Sequence, residues 1–461
     1  MRNIINLMIV SAIGLGIMLF SYYNYQYEPP AEPWENSLMY IGTGEPNKAA
    51  EQFNYIITEI RLLQPMSKRA KRFSIILGHA EPNIKRYFEL SCREKIILYP
   101  FEATDLTAEV LENGRLPSPD SNEILAGYQT KNRESLIIDG NVFKITGRLK
   151  KSVRLFAESY LILGDEKRSE VFNEDNEDVE KACIVKLTKE QADNQQISSL
   201  LRQAFERSQF TGYVPFIRTG PLPYCIYIGG FALLLFGGIF MLFNIYKLLS
   251  ERVTNKWLQP GLLAICKYRK LFIAINMVYF GTVLLFMIVT YLVPEIQILT
   301  MSAIKSSVSS NGPNPLAVAV KAYSSRDVLL AAVTTFAINF PIGSVMVITL
   351  PSLILPGSGI FVAVLRSAMW GLLLAPSSDI MSGAMLPHSF TLLLEGEAYI
   401  LAAFFGVLTF VYLINKQEGE TVMKRYVKAL VINVKGNLLV AIVLGISAIY
   451  EAIEVICMMS R

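Results

Sequence analysis

The amino-acid sequence predicts an integral membrane protein: an α-helical bundle of about seven spans, with an extracytoplasmic α+β domain between the first two spans. Composition is the first observation that predicts this fold class. Hydrophobic residues make up 52% of the 461 residues and charged residues only 18%, a balance that is unusual for a soluble domain. The second observation is that several apolar segments reach the roughly 20 residues that a helix needs to cross a bilayer core.

The first predicted span is residues 5–23, an apolar run that follows Arg2. No small-residue cleavage site follows before Tyr25 and Pro29, so we expect this span to remain in the mature protein. A processed signal peptide is the alternative, because a short basic region ahead of an apolar run also begins such peptides.

A soluble α+β domain is predicted at residues 30–220, where most of the Asp and Glu residues lie. Alternating apolar and polar residues predict strands, and longer periods predict helices. We expect strands at 72–79, 95–101, 135–149 and 182–187, helices at 48–63 and 197–210, and a solvated acidic loop at 164–181.

Six further spans follow, and the loops between them predict the orientation. The loops 247–270 and 416–435 are rich in Lys and Arg, which favours a cytoplasmic position for both. The N-terminus is then cytoplasmic and the soluble domain lies outside the cytoplasmic (inner) membrane. The segment 341–360 contains three prolines and three glycines, so we expect a kinked, broken or re-entrant path there. The six spans are predicted at 223–246, 270–293, 328–350, 357–375, 387–414 and 434–457.

These boundaries divide the chain into four parts. They are a first transmembrane helix (1–25), the extracytoplasmic domain (30–220), a transmembrane helix pair with a cytoplasmic loop (223–293) and a second transmembrane bundle (310–461).

Several kinds of chemistry have no motif in this sequence. No GxxxxGK[ST] loop is present, so the chain does not bind a nucleotide in the P-loop manner, and energy for transport would come from a partner or a gradient. GxSxG and HExxH are also missing, and of the two histidines His79 falls in a predicted surface loop, so we do not expect an enzyme. The sequence contains no basic cluster of the kind that would predict binding to nucleic acid.

The five cysteines predict neither a metal site nor another cofactor. They show no CxxC motif and no zinc-like spacing with histidine. Cys92 and Cys183 both fall in the extracytoplasmic domain, where an oxidising compartment would allow a disulfide between them. The sequence favours two separate buried thiols over that disulfide.

Ionisable residues inside one predicted span form the candidate functional site. His388 begins the span at 387–414, and Glu395 and Glu397 follow it. Helical spacing places positions 388, 391, 395 and 398 on one face, so Glu397 points elsewhere. An ionisable residue within a span predicts function, and packing against polar neighbours is the alternative.

Three other charged residues are expected near this span. Glu451 and Glu454 lie three apart on one face of the last helix and reach the same outer end as His388. Arg366 is the expected partner of one of the acids, because a lone charge in lipid is costly and a paired charge is tolerable.

The second bundle resembles the stage II sporulation protein M family over about residues 310–457. The resemblance rests on a glycine-interrupted helix pair at 334–367, on "LPHSFTLLLEGEAYILAAFFGVL", and on the acidic last helix with "AIYEAIE". The sequence departs from that family where Ser389 replaces a glycine and where the glutamates are displaced. Of the two, Glu397 fits the family's glutamate better, because the small-residue run follows it.

The soluble domain resembles the periplasmic domain of FtsX/MacB-type permeases. The segments "ENGRLPSPDSNEILAGYQ" and "SLIIDGNVFKITGRLKKS" carry this resemblance. The matching residues are Gly114, Arg115, Glu123, Ile124, Gly127, Phe143, Ile145 and Gly147.

Together the two resemblances imply the transmembrane (permease) subunit of an ABC-type export or extrusion system, driven by a separate cytoplasmic ATP-binding subunit and present as a homodimer. An FtsX-like transmitter or scaffold that controls an extracytoplasmic cell-wall enzyme is the alternative, and a gradient-driven transporter is a third possibility. The cytoplasmic loops would dock the ATPase, and simple positive-inside loops are the other interpretation. The docking residues would be Arg252, Trp257, Leu262, Lys424 and Arg425.

Overall fold

The structure is a computed structural model. It describes residues 2–28, 34, 36–63, 67–76, 82–100, 106–118, 121–164, 171–172, 179–192, 194–309, 314–355, 357–415 and 421–459. His79 and most of the predicted acidic loop at 164–181 lie outside these residues.

The chain forms two compact units. One comprises Met1–Tyr27 together with Thr219–Arg461, and we call it the membrane unit. The other comprises Glu28–Arg218, and we call it the sheet domain. The sheet domain is therefore inserted between the first long helix of the membrane unit and the second.

Helices dominate the part of the chain that the structure describes. In chain order they are α1 (Arg2–Ser21), α2 (Lys68–Ile76), α3 (Pro82–Ser91), α4 (Lys189–Ala192), α5 (Gln195–Ala204), α6 (Pro221–Arg252), α7 (Gln259–Lys267), α8 (Arg269–Leu292), α9 (Pro294–Ser309), α10 (Pro315–Ser324), α11 (Val328–Ile338), α12 (Leu350–Ile354), α13 (Ser358–Leu373), α14 (Asp379–Ile414) and α15 (Val422–Met459).

Six helical segments of the described chain are long and apolar enough to cross a membrane, which indicates a multi-pass membrane protein. The seventh predicted span corresponds to α13, which has only 16 residues and is about 24 Å long at 1.5 Å per residue. The six segments are Asn3–Gln26, Pro221–Arg252, Arg269–Leu292, Val328–Ile354, Asp379–Ile414 and Val422–Met459.

The segment predicted to be kinked or broken is irregular in the structure. A π-helical stretch, Asn339–Thr349, joins α11 to α12, so the chain stays helical through Pro341 and Pro351. The break comes at Gly357, whose φ of 98° lies in the left-handed region that glycine tolerates. The helix α13 then starts, and the Gly359 amide donates to the Ser352 hydroxyl at 3.0 Å.

Helix α14 forms the centre of the membrane unit. All residues from Gly396 to Thr409 are buried, on every side of the helix. Helices α6, α8, α13 and α15 and the π-helical stretch pack around it. A helix that is apolar and buried all round is typical of the core of a bundle, so polar side chains on α14 need protein partners.

Ten strands form one mixed sheet in the described part of the sheet domain. Its order is β10-β1-β9-β2-β3-β8-β5-β7-β4, and β6 pairs with β7. The strands are β1 (Ser37–Gly42), β2 (Asn54–Leu62), β3 (Lys95–Tyr99), β4 (Leu111–Gly114), β5 (Glu123–Ala126), β6 (Ser135–Ile138), β7 (Asn141–Leu149), β8 (Ser159–Leu163), β9 (Val179–Lys186) and β10 (Phe210–Tyr213).

Two predictions in this domain are wrong. The predicted helix at 48–63 is a short 3₁₀ turn followed by β2, because β3 and β9 pair with both sides of the segment. Residues 72–76 of the predicted strand at 72–79 lie in α2, whose Ala70 and Ser74 are buried four residues apart on one helical face, and residues 77–79 lie outside the described residues. In both segments the tertiary partners outweigh the local pattern.

The other element predictions hold in whole or in part. Residues 135–149 form a hairpin of β6 and β7 that turns at Asp139 and Gly140, both with positive φ, as a two-residue hairpin turn requires. The predicted strands at 95–101 and 182–187 correspond to β3 and β9. The predicted helix at 197–210 is α5 only as far as Ala204, and β10 starts at Phe210.

Candidate functional site

Polar side chains on α14 contact three different neighbouring helices. Glu395 faces α13, His388 faces α15, and Glu397 points toward α6. The predicted polar residues are therefore divided among three interhelical contacts.

Arg366 of α13 pairs with Glu395. The guanidinium Nη2 lies 3.1 Å from Glu395 Oε1 and 2.5 Å from the Tyr399 hydroxyl, which itself donates to Glu395 Oε1 at 2.8 Å. The guanidinium carbon also lies 3.8 Å from the centroid of the Tyr399 ring. Sequence analysis expected Arg366 to pair with one of the acids, and in the structure that acid is Glu395.

Tyr399 was not predicted as part of this contact, although its position is readable from the sequence. It lies four residues after Glu395 and therefore one helical turn away on the same face. Gly343 of the π-helical stretch also contributes, by leaving space. A Cβ atom there would lie 3.2 Å from Arg366 Nη1 and 3.3 Å from the Tyr399 hydroxyl.

His388 contacts the last helix. Its Nδ1 lies 3.0 Å from Glu454 Oε1, and the Thr391 hydroxyl donates to Glu454 Oε2 at 2.6 Å. Position 391 is on the helical face that the sequence predicted, together with 388 and 395. One turn earlier on α15, the Tyr450 hydroxyl donates to the Pro387 carbonyl at 3.1 Å, which adds a second contact between α15 and the start of this face of α14.

Glu451 lies beside this second contact. One of its carboxylate oxygens, Oε2, is buried and has no hydrogen bond within the described residues. Its charge interacts with those of Glu395 and His388. A cavity of about 230 Å³, lined by Pro387, Tyr450, Ile453, Glu454, Cys457 and Met458, adjoins the histidine–glutamate pair.

Glu397 is in a third environment. Its side chain is 0% exposed, and neither carboxylate oxygen has a hydrogen-bond partner within the described residues. The titratable group that interacts with it is the Tyr246 hydroxyl of α6, which is also buried and makes no hydrogen bond in the described chain. The sequence correctly separated Glu397 from the face of His388 and Glu395.

These contacts consist of ion pairs and of carboxyl and imidazole groups that can bind or release protons. Each carboxylate of the first two contacts accepts at least two hydrogen bonds or ion pairs, as buried charges require. The described residues contain no group of three or more His, Cys, Asp or Glu that could hold a metal ion. The arrangement can fix helices against each other, exchange protons, or do both.

The predicted docking residues divide into exposed and buried ones. Arg252, Trp257 and Lys424 are exposed, and Trp257 is 60% exposed. Leu262 is 2% exposed, because α7 packs that side against the bundle, whereas the neighbouring Leu263 is 50% exposed. The docking prediction thus needs a correction: Leu262 does not lie on an open surface, and Leu263 does.

Arg425 is also buried rather than exposed. Its guanidinium donates to the Leu413 carbonyl at 2.7 Å, near the end of α14, where carbonyls lack helical partners. A cation at this position is favourable for the helix dipole. The structure therefore accounts for Arg425 as a cap of α14.

The motif residues of the sheet domain have structural roles. Gly114 has a φ of 82°, and a Cβ there would lie 2.6 Å from the Gly147 Cα on the paired strand. A Cβ at Gly127 would lie within 3 Å of three carbonyl oxygens. Arg115 donates two hydrogen bonds to Glu123, whose carboxylate also accepts from the Ser118 amide at 2.8 Å.

A buried polar group in the sheet domain was not predicted. Lys95 is 0% exposed, and its ammonium donates to the Tyr213 hydroxyl at 3.0 Å and lies 3.6 Å from Glu158. Burial lowers the pKa of Lys95 and raises that of Glu158. Complete burial keeps this lysine from any external reactant, so we assign it to the packing of β3, β8 and β10.

Cys92 and Cys183 are separate free thiols in the structure, the arrangement that the sequence favoured over a disulfide. Cys183 is buried in β9, and burial raises the pKa of its thiol to about 12. It is not bonded to Cys92, which lies just after α3.

Comparisons with known proteins identify no relative of this chain. No family model matches the chain, and neither a curated protein nor a solved structure matches it.

Proposed function

We propose that this chain is the transmembrane subunit of an ATP-driven export or extrusion system, powered by a separate ATP-binding subunit on the cytoplasmic side and present in two copies. The observation that carries this proposal is the insertion of the sheet domain between α1 and α6, two helices that pack with their backbones in close contact. Such a pair supports transmission of movement between the cytoplasmic loop after α6 and the outer domain.

Glycines make this close contact possible. A Cβ at Gly14 would lie 2.5 Å from the Leu234 amide nitrogen, and one at Gly230 would lie 2.7 Å from the Gly14 carbonyl oxygen. Further along, a Cβ at Gly237 would lie 2.3 Å from the Ser11 hydroxyl. Small residues allow helices in a membrane to approach this closely, and the large contact area makes the pair move as one body.

The loop surface also supports a partner. Trp257 and Leu263 are large exposed apolar side chains in the same predicted cytoplasmic loop as the exposed, basic Arg252, and Lys424 is exposed on the other predicted cytoplasmic loop. Aromatic and aliphatic anchors with a charged rim are typical of protein interfaces. The few charges inside the bundle favour a hydrophobic or amphipathic cargo over an inorganic ion.

The test is co-purification of the full-length chain with an ATP-binding subunit encoded beside it. The double variant W257A/L263A should lose most of the captured ATPase, because the anchors of the interface are removed. The control is L330A, which removes a leucine near the start of α11 that is 48% exposed, close to the 50% of Leu263. Equal capture by the wild type and the double variant would reject the docking surface, and absence of any ATPase from the wild-type preparation would reject the function.

A non-transporting transmitter is the second candidate, and the hairpin of the sheet domain favours it. Ile137 and Val142 at this hairpin are 70% and 56% exposed, which supports contact with another extracytoplasmic protein. Stimulation of ATP hydrolysis by an amphipathic compound, in vesicles that hold the complex, separates the two functions. Stimulation favours export, and its absence favours the transmitter.

A further inference from the structure

We propose that Glu397 is a proton-binding site at the contact of α14 with α6. The inference goes beyond the proposed function, since it concerns a ligand, the proton, that the ATP-driven cycle does not require. It also places that ligand at a contact with α6, the helix that follows the sheet domain.

Glu397 is fully buried, and neither of its carboxylate oxygens accepts a hydrogen bond within the described residues. An ionised carboxylate in such a place would lose its hydration without gaining a countercharge, which proteins avoid by pairing or neutralising the group. By contrast, Glu395 on the same helix has Arg366 as a partner.

The titratable groups on the neighbouring helices decide whether Glu397 has a countercharge. From α6, Tyr246 is the titratable group that interacts with Glu397. From α8 and α13, Tyr279 and Arg366 interact with Glu395 instead. No described cation compensates the charge of Glu397, so a bound proton is the neutralising species that fits this site.

The packing of α6 against α14 separates Glu397 from water, with which its proton would exchange. Leu393, one turn before Glu397, packs against Gly238 of α6, where a Cβ would lie 2.5 Å from a leucine methyl carbon. Separation of α6 from α14 would therefore expose Glu397 to water. The O–H bond of the carboxyl group would then break, the proton would pass to water, and a solvated carboxylate would remain.

Infrared spectroscopy of the full-length chain in lipid vesicles tests the proposal, because protonated and ionised carboxyl groups absorb at different frequencies. At neutral pH, E397Q should lose one C=O band of a protonated carboxylic acid that the wild type shows. E395Q is the matched control on the same helix and should keep that band. An unchanged acid band in E397Q would overturn the proposal.

A second variant keeps the test decisive if E397Q does not fold. Y246F removes the hydroxyl that faces Glu397 and should shift the frequency of the acid band, whereas an unmoved band would contradict the site. A metal cation is the competing ligand, and replacing potassium with sodium in the buffer tests it. Loss of the acid band in sodium would show a metal-cation site and overturn the proposal. None of these readouts depends on an ATPase, so this inference and the proposed function fail separately.

Discussion

At the scale of single residues, the polar side chains of α14 are explained by their partners. Arg366 gives Glu395 a countercharge, and His388 with Thr391 gives Glu454 two contacts. The Arg366 side chain is 27% exposed and that of Glu395 4%, so the pair lies near the edge of the bundle with the acid inside. The acid therefore depends on the cation more than the cation depends on the acid.

Removal of the cation tests this asymmetry. R366A should destabilise the membrane unit by about 3 kcal/mol, because it leaves a buried carboxylate without its countercharge. Thermal unfolding in detergent measures the loss. The charge-swapped double variant R366E/E395R should recover part of it, whereas R366E/E454R should not, since Glu454 pairs with His388. Equal recovery by both swaps would contradict the assigned pairing.

In the sheet domain, Glu123 gives a prediction of pH dependence. Hydrogen bonds from Arg115 and the Ser118 amide lower the pKa of Glu123 from 4.5 to about 2. Because the pKa is lower in the folded state, the contribution to stability is complete above about pH 4.5 and is lost as the pH falls toward about 2.

Carbon-13 NMR titration of the side-chain carboxyl groups in the full-length chain checks this value, with E123Q to assign the signal. R115Q should move the pKa of Glu123 up toward its ordinary value. A wild-type pKa near 4.5 would show that the pair does not persist in solution.

At the scale of elements, sequence patterns identified the long helices better than the short segments. Spans of 24 to 38 residues gave a strong apolar signal, and six helices of this kind are present in the described chain. The segments at 48–63 and 72–79 have patterns that suit either helix or strand, and strand pairing or helix packing decided them. The path through Pro341 stays helical because π-helical geometry rearranges the hydrogen bonds that proline interrupts.

The close contact of α1 with α6 gives a matched test on adjacent glycines. G230L should destabilise the membrane unit by about 2 kcal/mol or more, because its side chain would overlap the Gly14 carbonyl oxygen and Ile17. G229L is the control, since a Cβ there meets nothing within 4 Å. Thermal unfolding of the two variants in detergent should separate them clearly. Equal stabilities would mean that the helices do not pack in this way.

At the scale of the whole molecule, α13 decides how the membrane unit crosses the bilayer. It starts beside Ser352, and the carbonyls of Leu373 and Ala375 at its other end accept hydrogen bonds from Gln297. It therefore extends from α12 to α9 although it has only 16 residues. We expect it to cross as a short seventh span, with flanking residues at the interfaces.

Thiol labelling of the intact cell tests this count. In a background without the native cysteines, L355C should have the same accessibility as K424C, because the Tyr426 hydroxyl donates to the Leu353 carbonyl and so brings the two segments together. I380C should have the opposite accessibility, because α13 separates Leu355 from Ile380, which is 50% exposed. A membrane-impermeant reagent that labels I380C and L355C equally would contradict the crossing.

The sequence by itself determined the membrane character, the inserted domain, the long helices and the residues that carry charge in the bundle, because hydropathy and helical spacing are local properties. It also placed His388 and Glu395 on one face and Glu397 on another. Only the tertiary structure decided the partners: Arg366 for Glu395, Glu454 for His388, and no cation among the described residues for Glu397. Partner choice depends on which helices are neighbours, and residues far apart in the chain fix that through packing.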